Sequence, residues 1–171
     1  YVLKLMEGLE IFRFDSSLIP YSYSNLPLGS SMTNQDLSIE NGIAYIASGS
    51  NGLWILNVSN PSYPGILWHD ANAFNKLPVF DVRVKGDYAY LLNGNYGVTI
   101  ADICVKQNPI EVKRINLEGD YLEKCFIYDN FLYVAGISHG VWILDISVYS
   151  DPVLIGSMAI PRGARAVFAT Q

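Results

Sequence analysis

"NYGVTIADICVKQNP", residues 95–109, holds a glycine, a short apolar run, an aspartate and, twelve residues after the glycine, a proline. The same frame returns as "EGLEIFRFDSSLIP" at 7–20, "NGLWILNVSNPSYP" at 51–64 and "HGVWILDISVYSDP" at 139–152. The anchoring glycines Gly8, Gly52, Gly97 and Gly140 are separated by 44, 45 and 43 residues. Seven residues before each stands a tyrosine (Tyr1, Tyr45, Tyr90, Tyr133), and twelve after each a proline (Pro20, Pro64, Pro109, Pro152). Two offsets held without error in four copies identify a structural repeat.

Each unit reads as four short strands, A to D. Strand A is "DLSIE" at 36–40, "DVRVK" at 81–85 and "KCFIY" at 124–128. A two-residue turn follows, NG, GD or DN, of residues that accept positive φ. Strand B is "IAYIA", "YAYLL" or "FLYVA", and a glycine-containing loop leads to strand C, "LWILNV", "VTIADI" or "VWILDI". The repeated proline then introduces strand D, "GILWH", "IEVKRI" or "VLIGS". No stretch shows a helical period. Strands B and C are almost continuously apolar, which implies burial on both faces. Antiparallel four-stranded units of this kind stack radially as blades of a β-propeller.

A β-sandwich is the competing architecture, but it does not explain where the spacing varies. From each proline to the matching residue of the next strand A (Leu37, Val82, Cys125, Val167) the count is 17, 18, 16 and 15, while offsets inside a unit are fixed. The expected fold is therefore all-β, a single β-propeller region over 1–171 built from four repeats of four-stranded antiparallel blades. Blade 1 supplies strands B to D at 1–30. Blade 2 covers 36–70, blade 3 covers 81–117, and blade 4 covers 124–160. The segment 164–171 is expected as strand A of the next or closing blade.

The units resemble LVIVD repeats, a family named for a strand C of that type. Here it reads "LWILN" at 53–57, "VTIAD" at 98–102 and "VWILD" at 141–145, with a degenerate "LEIFR" at 9–13. "GDYAY" at 86–90 and "DIS" at 145–147 resemble the family too. Blade 1 departs most, with Arg13 at the acidic position and a long polar D–A stretch at 21–35. The resemblance implies a bacterial or archaeal chain, often exported, with no defined reaction. The chain opens inside a strand B and closes inside a strand A. The expectation favours a segment of a six- to eight-bladed ring over a closed four-bladed one.

Composition narrows function by exclusion. The chain is 50% hydrophobic and only 16% charged, too apolar for disorder. Its net charge is −5 with no basic stripe, so no nucleic-acid partner is expected. No apolar run approaches the ~18 residues of a membrane span. Cys104 and Cys125 have no metal-ligand spacing and read as two buried free thiols or one disulfide. His69 and His139 lack convergent partners for a metal site or a catalytic triad. The loops "SGSNG" at 48–52 and "NGNYG" at 93–97 precede no helix and carry no carboxylates, so they read as tight turns. No cofactor, metal or catalytic residue is expected. Asn57, Asp102 and Asp145 share one position at the end of strand C and read as structural turn formers. Asn57 also begins the one glycosylation sequon, in a strand end where it is incidental.

One position changes inside the fixed frame. The residue before the anchoring glycine is Glu7, Asn51, Tyr96 and then His139. In a propeller the B–C and D–A loops share a face, which would add Phe74, Lys76, Tyr121 and Arg162. This mixed aromatic, amide and charged set is the expected interaction face for a protein or glycan partner, in an extracellular, cell-surface or periplasmic protein. The alternative is an enzyme, a lyase or hydrolase with its site in the central channel. Fold class alone does not choose.

Overall fold

The computed structural model describes residues 2–4, 8–28, 35–117 and 119–169. Its strands form antiparallel meanders in chain order. The first sheet has three strands, β1 (Val2–Lys4), β2 (Gly8–Phe14) and β3 (Pro20–Pro27). The second runs β4 (Asp36–Glu40), β5 (Ile43–Ala47), β6 (Leu53–Asn57) and β7 (Gly65–His69). The third runs β8 (Asp81–Lys85), β9 (Tyr88–Leu92), β10 (Val98–Asp102) and β11 (Ile110–Ile115). The fourth runs β12 (Leu122–Tyr128), β13 (Phe131–Gly136), β14 (Gly140–Asp145) and β15 (Val153–Ala159). The chain is all-β, and its sheets have the make-up of propeller blades.

The repeat frame maps onto this plan residue by residue. Tyr45, Tyr90 and Tyr133 sit mid-strand opposite Ile55, Ile100 and Ile143. The prolines Pro64, Pro109 and Pro152 stand immediately before the outer strand of their sheets, where a missing N–H costs no ladder bond. Asn57, Asp102 and Asp145 each accept the backbone N–H two residues on, at Ser59, Cys104 and Ser147. That is the short-range bond that turns the chain out of the sheet. At Asp145 the bonds from the Ser147 backbone and hydroxyl hold the carboxyl below the usual carboxylate range.

Side chains of the middle strands alternate between the two faces of a sheet, and the second and third sheets, each with a neighbour on either side, are buried on both. Tyr45, Ala47, Leu53 and Ile55 pack with Val82, Ala89, Leu91, Ala101 and Ile103 between the second and third sheets. Tyr90, Leu92, Val98 and Ile100 pack with Cys125, Leu132, Val134, Leu144 and Ile146 between the third and fourth. Leu9 and Leu28 meet Ala44, Ile46, Leu56 and Val58 between the first and second. Burial pushes the Tyr45 hydroxyl up to about 12, with Glu40 and Asp87 adding to it. The Tyr90 hydroxyl donates to the Tyr149 carbonyl at 3.1 Å.

Two regularities had no visible counterpart in the sequence. Against the outer strand, the register slips once in every sheet: between Ile11 and Phe12, Ile55 and Leu56, Ile100 and Ala101, and Ile143 and Leu144. The unpaired residue is Tyr23, Leu67, Val112 or Ile155, always three after the repeated proline. The second concerns the anchoring glycines. Gly97 has φ +88, and a Cβ there would fall on the Ile115 carbonyl oxygen. Gly97→Ala is expected to cost about 1–3 kcal/mol, from left-handed strain plus displaced outer strand. Gly65→Ala, with nothing within 4 Å of its Cβ position, is the near-neutral comparison in the same urea titration. Equal midpoints for the two variants would disprove the close approach.

Three expectations are corrected. Residues 164–169 form no strand; a strand A pairs with the strand B that follows it, and nothing described pairs with this segment. Phe168 instead packs its exposed ring on Phe126 at 4.6 Å. The cysteines are both free, but only Cys125 is buried, because Cys104 lies in the exposed turn after β10. The D–A segment after β7 also holds one helical turn, α1 (Ala73–Lys76), in which Phe74, Asn75 and Lys76 all have positive φ.

Candidate functional site

The innermost strands of three sheets begin side by side and bring charges together. Asp36 opens β4 and Asp81 opens β8, while Lys124 lies near the start of β12. Arg83 Nη1 bonds both Asp36 Oδ2 and Asp81 Oδ1, the latter at 2.9 Å. Lys124 Nζ lies 3.2 Å from Asp36 Oδ1 and 4.0 Å from Asp81 Oδ1. A side chain of the fourth sheet thus reaches the second, past the start of β8.

Asp81 is the hub and is fully buried. Its Oδ1 accepts from Val82 N at 2.9 Å, and its Oδ2 accepts from Cys125 N of the next sheet at 2.6 Å. Burial and the hydrogen bond with Asp36 push Asp81 up to about 7, against the pull of Arg83. Burial works against ionised Asp36 as well, yet its bond with Asp81 and the charges of Arg83 and Lys124 hold its carboxyl below the usual range. Two carboxylates that share a site divide in this way, one keeping the proton. The Cys125 thiol is pushed well up by burial and by Asp81, so it is an inert packed group.

Above this cluster opens a cavity of about 470 Å³ lined by Gln35, Phe80, Tyr121, Glu123, Lys124 and Arg165. Phe80 and Tyr121 face each other with centroids 5.4 Å apart. Burial, then Glu123, raises the Tyr121 hydroxyl. Glu123 Oε2 is buried without a hydrogen-bond partner among the described residues. Among those residues no group of three or more His, Cys, Asp or Glu is placed to hold a metal ion. No described helix is long and apolar enough to cross a membrane.

Beside the cavity runs a rim in which the B–C loops of the second, third and fourth sheets are each laced to the following D–A segment. Gly49 and Val79 exchange both backbone bonds, at 2.8 and 2.9 Å. Leu122 N donates to the Gly94 carbonyl at 3.3 Å, and Ala164 N to the Gly136 carbonyl at 2.8 Å. Side chains add to the lacing. His69 stacks on Trp54 at 3.6 Å, and its Nε2–H donates to the Asn51 carbonyl at 2.9 Å. Asp120 accepts from Ser138 N, His139 N and Trp142 Nε1.

The expected interaction residues divide three ways. Tyr121, His139 and Arg162 gather at the loop of the fourth sheet. Ile137 N donates to the Tyr121 carbonyl, Ile160 N to the His139 carbonyl, and Gly163, beside Arg162, abuts Ile137. Asn51 and Tyr96 occupy the equivalent loops, with Tyr96 exposed at 56%. Phe74 and Lys76 stand apart. Phe74 is only 8% exposed and packs on Trp68, so its ring is core and not contact surface. Arg114 Nη2 bonds the Phe74 carbonyl and Asn75 bonds Glu111, which draws α1 down beside β11 and away from the rim. Glu7 lies outside the described residues. The axial set was missed by sequence reading. The one clue was an aspartate opening two successive A strands, with a lysine at the same place in the third.

Sheets of this plan, repeated in chain order around shared cores, define a class of repeat protein before any sequence match is considered. The LVIVD repeat model matches residues 33–68, 79–122 and 123–159, more than half of the chain, and the chain belongs to that family. No curated protein matches it. Among solved structures, the crystal structure of the computationally designed Ika8 protein is similar at a TM-score of 0.65 and 9% identity. The match covers 88% of this chain and 43% of that one, so this chain spans less than half the length of the designed protein. At that identity the likeness is one of fold.

Proposed function

We propose that this chain is a non-enzymatic β-propeller scaffold that binds a protein or glycan partner on its B–C and D–A loop face, in an exported or cell-surface protein. The observation that carries the reading is the lacing of the rim. Backbone bonds fix each loop against the next sheet, while the side chains they present differ from sheet to sheet: Asn51, Tyr96, His139. A rigid scaffold with varied loops is the usual build of a recognition surface. The ion pairs that join the starts of β4, β8 and β12 support the ring, and the family resemblance supports export.

An enzyme reading would need an accessible acid or base at the axis. Asp81 has the altered proton affinity, but it is fully buried and its oxygens are engaged by Val82, Cys125 and Arg83. It acts as a bracket between sheets.

Tyr96 is the exposed aromatic of the rim, and such residues dominate interface energetics. With a partner captured from the native assembly, Tyr96→Ala is expected to weaken binding by more than ~1 kcal/mol. Asp87→Ala and Asn130→Ala, in the turns between strands A and B, should leave the titration unchanged. Sensitivity at those turns with none at Tyr96 would place contact on the other face.

A further inference from the structure

The axial cavity has a composition that a macromolecular contact on the rim leaves unexplained. Its 470 Å³ falls within the ~300–1,000 Å³ of small-ligand sites. One wall is aromatic, the Phe80 and Tyr121 rings inclined at 48°. Both rest on Gly94, where a Cβ would lie 2.9 Å from each ring, so the glycine sets their position. The remaining lining is polar. Gln35 and Glu123 offer acceptors for hydroxyl groups. The Arg165 side chain is 80% exposed, and its one ion-pair contact among the described residues is Glu123 Oε1 at 3.5 Å.

The charge balance adds a sign. Arg83, Lys124 and Arg165 face Asp36, Asp81 and Glu123. Asp81 keeps its proton up to about pH 7, so the cluster carries surplus positive charge below that. Lys124 is drawn back to Asp36, so the surplus is presented by Arg165.

We propose that this cavity binds a singly anionic sugar, a uronate, with the C–H face of the ring on Phe80 and Tyr121 and its carboxylate on Arg165. A flat aromatic acid would leave Gln35 and Glu123 without hydroxyl donors, and a neutral sugar would gain no charge-assisted bond from Arg165. The source is either the free sugar or the end of an acidic polysaccharide.

Calorimetric titration with methyl glucuronide, methyl glucoside and a short oligouronate tests this. The glucuronide is expected to saturate, with the glucoside about tenfold weaker, the loss of one charge-assisted hydrogen bond. Arg165→Gln should erase that difference without moving the melting temperature, since the side chain is exposed. Tyr121→Ala should weaken both sugars. Equal or tighter binding of the oligouronate identifies a polysaccharide end, and weaker binding identifies the free sugar. No saturable binding of any uronate overturns the proposal, as does a glucuronide affinity that Arg165→Gln leaves unchanged. Tyr96→Ala, outside the cavity, should not alter the uronate titration, so rim and cavity stand or fall separately.

Discussion

Trp142→Ala is expected to destabilise the protein by about 3–5 kcal/mol in urea unfolding, the range for emptying a large core site. Trp142 lies on β14 and packs against the cluster between the third and fourth sheets. Its Nε1–H donates to Asp120 Oδ2 at 3.0 Å, and the His139 ring lies 5.4 Å away. Alanine therefore removes packing and also takes one of three donors from a buried carboxylate. The loop of the fourth sheet, held by the same aspartate through Ser138 and His139, should loosen with it. Trp142→Phe separates the two effects, because it keeps most of the ring and loses only the bond, about 1–3 kcal/mol. A Trp142→Ala midpoint within error of wild type would show that the face between these sheets is not a packed interface.

Asp81→Ala should cost a similar amount, about 3–5 kcal/mol, as is usual when one partner of a buried charged network is removed. It leaves the N–H groups of Val82 and Cys125 buried without acceptors and leaves Arg83 to Asp36 and the Val82 carbonyl. The pH dependence carries its own signature. The folded pKa of Asp81, about 7, lies above the ordinary aspartate value of 3.8. In that window the native state holds a proton that the unfolded chain has released, so this contribution is fully present below about pH 4 and lost as pH rises toward 7. Asp36 has the opposite sign, since its lowered folded pKa stabilises above the usual carboxylate range and is lost on acidification. Asp81→Asn cannot ionise and keeps one acceptor oxygen, so it retains one of the two backbone bonds, from Val82 N or from Cys125 N. It should therefore flatten the fall in stability between pH 5 and 7 (roughly the Asp81 window) and leave the acid limb in place. An unchanged slope would mean that Asp81 titrates as an ordinary carboxylate.

How far the sequence could be read follows from the range of the interactions. The Tyr–Gly–Pro frame and the turn-forming Asn57, Asp102 and Asp145 act over a few residues, so local chemistry located them. The burial of strands B and C on both faces was equally visible, because their runs are almost continuously apolar. Phe74 was misplaced for a different reason. Its loop has ordinary polar neighbours, and only the three consecutive positive φ values turn its ring onto Trp68. The contacts among Asp36, Asp81 and Lys124 join residues one or two repeats apart, Asp81 and Cys125 being 44 positions distant. Such pairs are invisible until neighbouring sheets are set at an angle. The family resemblance rested chiefly on strand C and was sound, yet that strand carries none of the charges of the Asp36, Asp81 and Lys124 cluster.

The slipped residue in each outer strand bears on how such a chain survives at high concentration. β7, β11 and β15 are each the last strand of their sheet, with one row of backbone donors and acceptors turned outward. Val112, Val153, Ile155 and Met158 are exposed on or beside these edges. A straight apolar edge of that kind is a template for pairing with another molecule and for fibre growth. One extra residue at the same place in each strand breaks the regular spacing of that row and increases its local twist. Deleting Ile155 would straighten the edge of the fourth sheet, and the cost would appear less in the melting temperature than in a shortened lag before aggregation.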